Sequence, residues 1–300
     1  MEQKIPKSVK IMEVGPRDGL QNEKTIVDTA TKIAFIEHLH AAGLRRIEVT
    51  AFVSPKWIPP LADQMEVARG ITRHKEVSYA ALVPNMRGYE RAMEASIDEV
   101  AFVVAASETH NKKNINASTQ EALARYKEIG EQARKDKIPF RGYISCAFGC
   151  PYEGAISVDA VNELAVFFKD LGAYEMSIGD TIGVGNPLQT LGLLAQLEQK
   201  VPLSMIALHM HDTRGLALAN IFAALTMGVA SFDSSVGGLG GCPYAPGASG
   251  NVATEDLVNM LQSMGVETGV NVDLLTQVSL KMEKVLNRTL PAKLLAVCKS

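Results

Sequence analysis

Ala207-Leu208-His209-Met210-His211-Asp212-Thr213 reads as the end of a buried strand running out into a loop. Residues two apart on a strand share a face, so His209 and His211 present both imidazoles to one side while Leu208 and Met210 turn into apolar packing. Two imidazoles at a strand end are either half of a divalent-metal site or a pair of polar residues bonded to their neighbours. The choice depends on what else the chain brings to that place.

Working outward, seven further short apolar or β-branched runs alternate with helix-length segments. They are Val9–Val14, Arg46–Thr50, Val77–Val83, Glu99–Val104, Arg141–Cys146, Tyr174–Ile178 and Ser231–Val236. The segment Asp28–Ala42 is typical of the intervening pieces, with Ile33, Ile36 and Leu39 on one side and Gly43 closing it. Strands each followed by a helix argue for a parallel sheet. Eight such units in about 250 residues fit a closed barrel. An open sheet should carry a glycine-rich dinucleotide loop after its first strand, and Gly15-Pro16-Arg17-Asp18-Gly19 is not one. The expected fold is therefore an α/β (β/α)8 TIM barrel with a C-terminal helical extension. Residues 1–300 form one catalytic domain, with the barrel over about 8–264 and the extension over about 265–300.

Composition narrows the function. Hydrophobic residues make up 47% and charged residues 21%, values that supply a sizeable core. A formal net charge of -3 gives no electrostatic case for nucleic acid or a membrane surface as partner. The first residues, Met1 to Val9, are polar and include Pro6, unlike a secretory leader or transit peptide, so a cytoplasmic location is expected. Four cysteines, Cys146, Cys150, Cys242 and Cys298, are too few and too scattered for a disulfide framework.

Barrel enzymes carry their chemistry at the C-terminal ends of the strands. Arg17 and Asp18 follow the first strand, Glu48 lies in the second, Asp180 follows the sixth, and Cys242 and Asn251 lie beyond the eighth. Closure of the eighth strand onto the first would bring Asp18 to the two histidines and Asn251. Two imidazoles, a carboxylate and an amide oxygen suit Mg2+ or Mn2+ better than a closed structural zinc. Each residue also has a plainer reading. Asp18-Gly19 is turn chemistry, Asn251 could cap the next helix, and Asp180 either orients the site or makes a turn. Arg17 is a permanent cation shaped for carboxylate or enolate oxygens, or else a surface ion-pair member. Glu48 in an apolar strand needs a partner, and Arg17 on the adjacent strand is the natural one. The run Gly237-Gly238-Leu239-Gly240-Gly241-Cys242 begins a glycine-rich loop expected to close over substrate, with a thiol in it able to move a proton.

Several longer stretches resemble the hydroxymethylglutaryl-CoA lyase family. They are Glu13–Glu23, Phe52–Trp57, Gly149–Gly154, Gly179–Gly185, His209–Thr213 and the Gly-Cys-Pro-Tyr-Ala loop, in order along nearly the whole chain. The resemblance implies cleavage of 3-hydroxy-3-methylglutaryl-CoA to acetyl-CoA and acetoacetate, with leucine degradation or ketone-body metabolism as setting. It implies a divalent ion on Asp18, His209, His211 and Asn251, with no organic cofactor because CoA enters as part of the acyl-CoA thioester substrate. Arg17 would steady the enolate, Glu48 and Asp180 support the site, His209 or Asp18 act as base, and Cys242 take part in proton transfer. Gln21, Asn22 and Lys24 are candidate CoA contacts, and a homodimer is expected. Ala51 stands where similar lyases often have Ser. Cleavage of a related branched hydroxyglutaryl-CoA or of a 4-hydroxy-2-oxo acid is the nearest alternative. A Claisen-type synthase and a catalytically dead ligand-binding barrel stand further off.

Overall fold

Each run expected as a strand is one, within a residue or two at its ends. A computed structural model describes residues 5–241 and 249–298, so the expectation for Cys242 falls outside the described residues. The strands are β1 Lys10–Glu13, β2 Arg46–Ala51, β3 Ser78–Leu82, β4 Glu99–Ala105, β5 Phe140–Ser145, β6 Glu175–Asp180, β7 Ile206–Met210 and β8 Ser231–Ser234. They pair in parallel in sequence order, and β8 returns to β1 to close the barrel. The helices are α1 Thr29–Ala41, α2 Gln64–Gly70, α3 Met86–Glu94, α4 Glu108–Asn114, α5 Thr119–Asp136, α6 Val158–Leu171, α7 Pro187–Glu198, α8 Ala217–Thr226, α9 Thr254–Ser263, α10 Val272–Leu286 and α11 Lys293–Cys298.

Local chemistry fixes where helices begin. Asp28 accepts from the Thr31 N–H to cap α1. Ser118 with Glu121, and Asn186 with Gln189, satisfy each other's orphan donors ahead of α5 and α7. The apolar layer lies between sheet and helices, where Phe102 on β4 stacks on Tyr126 of α5 at 5.1 Å and meets Phe168 of α6. The barrel interior is different. Barrels usually fill it with branched aliphatic residues, whereas here Glu48, Arg141, Tyr143, Ser177 and Asp233 are buried and joined by hydrogen bonds. Arg141 is fully buried with Asp233 and Glu175 each 2.9 Å away, so its charge is compensated on both sides.

After the barrel, α10 packs on α1 and α9. Among the described residues no helix is long and apolar enough to cross a membrane.

Candidate active site

Beyond β1 the chain makes one wide π turn, Gly15–Gly19, in which the N–H groups of Arg17, Asp18 and Gly19 all converge on the Val14 carbonyl. The turn sends Arg17 into the protein. Its Nε donates to Glu48 Oε2 at 2.6 Å, its Nη1 to Asp18 Oδ1 at 2.5 Å, and its guanidinium lies 5.5 Å from the centre of the Tyr143 ring. Burial pushes the Glu48 carboxyl up against the pull of Arg17. Glu48 Oε1 is buried with no hydrogen-bond partner among the described residues. Burial also works against the Asp18 anion, but Arg17, then His209 and His211, outweigh it and hold the carboxyl at about 2. Asp18 is thus a fixed anion, and the ion-pair reading of Arg17 and Glu48 becomes an interior, three-membered one.

The histidines arrive from β7. His209 and His211 have ring centres 5.4 Å apart, on one face as alternation requires. His209 Nε2 stands 3.8 Å from Asp18 Oδ2, and its Nδ1 lies 3.3 Å from Asp233 Oδ2. Strand register explains the second contact, because His209 pairs with Asp233 across β7 and β8. Burial would raise Asp233, but Arg141 and then His209 and Ser177 keep it ionised. An anion there draws the imidazole proton to Nδ1 and leaves the Nε2 lone pair facing Asp18. His211 is pulled down to about 4, chiefly by burial and next by His209, so it is a neutral ligand at ordinary pH. Its Nδ1 is buried without a hydrogen-bond partner among the described residues.

Asn251 reaches the cluster from the far end of the glycine-rich loop. It bridges backbone with His211, and its Nδ2 donates to Asp18 Oδ2 at 2.8 Å and to the Leu239 carbonyl at 3.1 Å. The following helix is capped at Ala253 instead. Gly240 runs so close to this amide that a Cβ would meet Asn251 Nδ2 at 2.6 Å, and its φ of +96° suits glycine alone. Gly241 and Ser249 pair across the two ends of the loop.

Arg17, Asp18, His209, His211 and Gly241 line a cavity of about 570 Å3, and Asn251 is not among its lining residues. Arg17, Asp18, Tyr143, Ser177, His209 and His211 form its inner part, while Trp57, Asn85 and Arg125 lie further out. Gln21 and Asn22 line it as well, but Lys24 is exposed and is not among the lining residues. Asp180 is buried and accepts from the Val184 and Gly185 N–H groups at 3.0 and 2.8 Å, which places its carboxylate in service of its own loop. Ala51 packs with Leu61 and Leu82.

Sequence reasoning passed over Asp233, Arg141 and Tyr143. Tyr143 donates to Glu48 Oε2 at 3.2 Å, and Arg141 donates to both the Tyr143 hydroxyl and Asp233. The available signal was a charged or hydroxyl residue inside a strand expected to be buried, the same signal that singled out Glu48.

The residues fit a divalent cation. One donor atom each from Asp18, His209 and His211 lie within 4.8 Å of one another. The carboxylate is held ionised, one imidazole has an orphaned buried nitrogen, and the other has its second nitrogen on a carboxylate, as metal-bound histidines have.

Comparison with known proteins follows the same line. Residues 8–281 match the family described as HMGL-like. The human mitochondrial hydroxymethylglutaryl-CoA lyase is 52% identical over 296 residues, covering 98% of this chain and 91% of that protein. The crystal structure of the Bacillus subtilis HMG-CoA lyase superposes with a TM-score of 0.97 at 50% identity, over 98% of this chain and 99% of that one. A lyase structure from Acinetobacter baumannii, solved with coenzyme A and 3-methylmalate, gives 0.92 at 43% identity, over 96% and 94%.

Proposed function

The chain belongs to the HMGL-like family, and from that premise we propose that it is a carbon–carbon lyase cleaving 3-hydroxy-3-methylglutaryl-CoA to acetyl-CoA and acetoacetate. One observation carries the reading: Asp18, His209 and His211 converge at the inner end of a cavity whose wall also holds Arg17.

Asp18, His209, His211 and Asn251 are the residues that would hold the ion. A divalent cation held there would supply Lewis acidity to the tertiary hydroxyl. The chain's own residues do the rest. Asp18, held at about 2, is too weak a base to accept the hydroxyl proton. His209, whose Nδ1 lies on Asp233, is the other candidate, and takes the proton through Nε2 only while that nitrogen is not given to the ion. Arg17, fixed by Glu48 and Asp18, offers its remaining N–H groups to the enolate oxygen of the departing acetyl-CoA fragment. Protonation of that carbon is assigned to Cys242, directly after Gly241 at the cavity edge.

Gln21 and Asn22 are well placed for the thioester arm; Lys24 would have to reach in from outside. Mg2+ or Mn2+ as the ion, a homodimer, a cytoplasmic location and a role in leucine or ketone-body metabolism belong to the same proposal and rest on family resemblance. A coupled acetyl-CoA assay on hydroxymethylglutaryl-CoA, with and without EDTA, tests it. Acetyl-CoA release abolished by the chelator and restored by Mg2+ or Mn2+ is expected. No acetyl-CoA release with metal present, or pyruvate release from a 4-hydroxy-2-oxo acid in its place, would overturn it.

A further inference from the structure

Away from this mouth, at the rim where the strands begin, a second set of imidazoles and carboxylates comes together. Glu37 and His40 lie three apart near the end of α1 and therefore on one face. His74 and Glu76 lie in the link between α2 and β3. The His40 and His74 rings stack with centres 3.8 Å apart and planes at 22°. His40 Nε2 is 3.1 Å from Glu76 Oε1, and His74 Nε2 is 3.5 Å from Glu37 Oε2. The other oxygen of Glu37 accepts from the Thr72 N–H at 2.5 Å, which ties the helix end to the link. One donor atom each from Glu37, His40 and His74 lie within 4.8 Å of one another. None of these residues serves the proposed reaction.

We propose that Glu37, His40 and His74, with Glu76 as a nearby fourth donor, bind a second divalent transition-metal ion, Zn2+ in the first instance. Two imidazole nitrogens with carboxylate oxygens are a borderline-soft donor set that suits Zn2+, Ni2+ or Cu2+ over Mg2+. A tetrahedral ion with bonds of about 2.0–2.2 Å wants donors roughly 3.3–3.5 Å apart, so the set closes by at most about 1.5 Å, and the stack must open. The side chains have the room to turn, being 30% exposed at Glu37, 17% at His40 and 31% at His74. The ion would replace two separate histidine–carboxylate contacts with one centre bridging α1 and the approach to β3. Its place at the opposite rim separates it from Asp18, His209 and His211, so the two sites can be titrated independently.

The test is calorimetric titration of the chelator-stripped full chain with Zn2+, read as ions bound per chain. The wild type should bind two, His40→Ala/His74→Ala one, and His211→Asn should lose the other site while keeping this one. Should the double variant fail to fold, His74→Gln alone should weaken the rim site at least tenfold and abolish any Zn2+-dependent rise in melting temperature that survives in His211→Asn. One ion per wild-type chain, or two ions still bound by a folded His40/His74 variant, would overturn the proposal. Loss of acetyl-CoA release with both ions bound would instead count against the lyase reading alone.

Discussion

The two rims of the barrel each pair histidines with carboxylates, and they do so in opposite ways. At the mouth, His209 and His211 descend from one strand, Asp18 is pinned by Arg17, and His209 is backed by Asp233, itself held by Arg141 and Ser177. Every charge there has a buried counter-charge or hydrogen bond behind it, so the donors are set before any ligand arrives. At the other rim, His40 and His74 come from a helix end and a link, stack on each other, and meet Glu76, whose side chain is 54% exposed. Such donors adapt on binding and lose more side-chain freedom when they do. Preorganisation is thus the property that distinguishes a catalytic constellation from a chelating one built of the same residue types.

The largest expected effect comes from removing the cation that organises the mouth. Arg17→Met leaves Glu48 and Asp18 without it, so kcat should fall by about 10³-fold or more while KM moves far less. Denaturant unfolding should show a loss of about 3–5 kcal/mol, the range for breaking a buried pair. A raised KM with kcat unchanged would reduce Arg17 to a binding residue. Next, Cys242→Ser should cut turnover by about 10²–10⁴-fold, the range for general acid–base catalysis, with metal and substrate affinity retained. Unchanged turnover removes the thiol from the reaction.

Asp233→Asn probes the support behind His209. Metal affinity measured by titration should weaken about 10–100-fold, with turnover falling alongside; an unaltered affinity would show that the Nδ1 contact does nothing for the centre. A smaller effect is expected at the root of the glycine-rich loop. Burial pushes Glu13 up to about 8 and Glu255 up to about 7. Glu13 Oε2 accepts from the Thr254 hydroxyl, which also lies within hydrogen-bond distance of Ser234, while Oε1 accepts from the Gly15 and Val236 N–H groups. Both carboxyls are raised above their ordinary value of 4.5, so their contribution to stability is complete below about pH 4.5 and is lost as pH rises through about 7–8. Unfolding free energy should drop by about 1–3 kcal/mol between pH 5 and 8.5. Glu13→Gln, which removes the titrating carboxyl, should flatten that slope; a slope unchanged by it would clear Glu13. The smallest effect belongs to the other rim, where His40→Ala/His74→Ala should leave turnover within about twofold of wild type, as a substitution remote from the chemistry does. A larger loss would join the two rims that the comparison keeps apart.

The mouth was readable in the sequence because its signals are local. A His-x-His pair on a strand shares a face whatever surrounds it, and Arg17-Asp18 sits where any barrel's first strand must end. Asp233 and Arg141 escaped because their meaning lies across the lumen, in a contact spanning 92 positions that no periodicity reports. Lys24 shows the converse: three residues after Gln21, it is nonetheless exposed and away from the lining residues. Asp180 could be read as site or turn from its residue type, and its carboxylate accepts from the Val184 and Gly185 N–H groups of its own loop. Glu37 and His40 carry no signal of their own in the sequence, because His74 comes to them from 34 residues downstream.

The C-terminal segment reaches the mouth by another route. The Ala292 N–H donates to the Gly237 carbonyl, Leu290 fills the space a Cβ on Gly237 would need, and Ser279 on α10 bonds Glu255, which holds the Gly237 N–H. Lys293 Nζ is bonded to Asp212, the neighbour of His211. The last turns of the chain thus brace Gly237, five positions ahead of Cys242 in the sequence. A chain shortened before Leu290 would retain every cation donor of the mouth and still lose the wedge that seats Gly237.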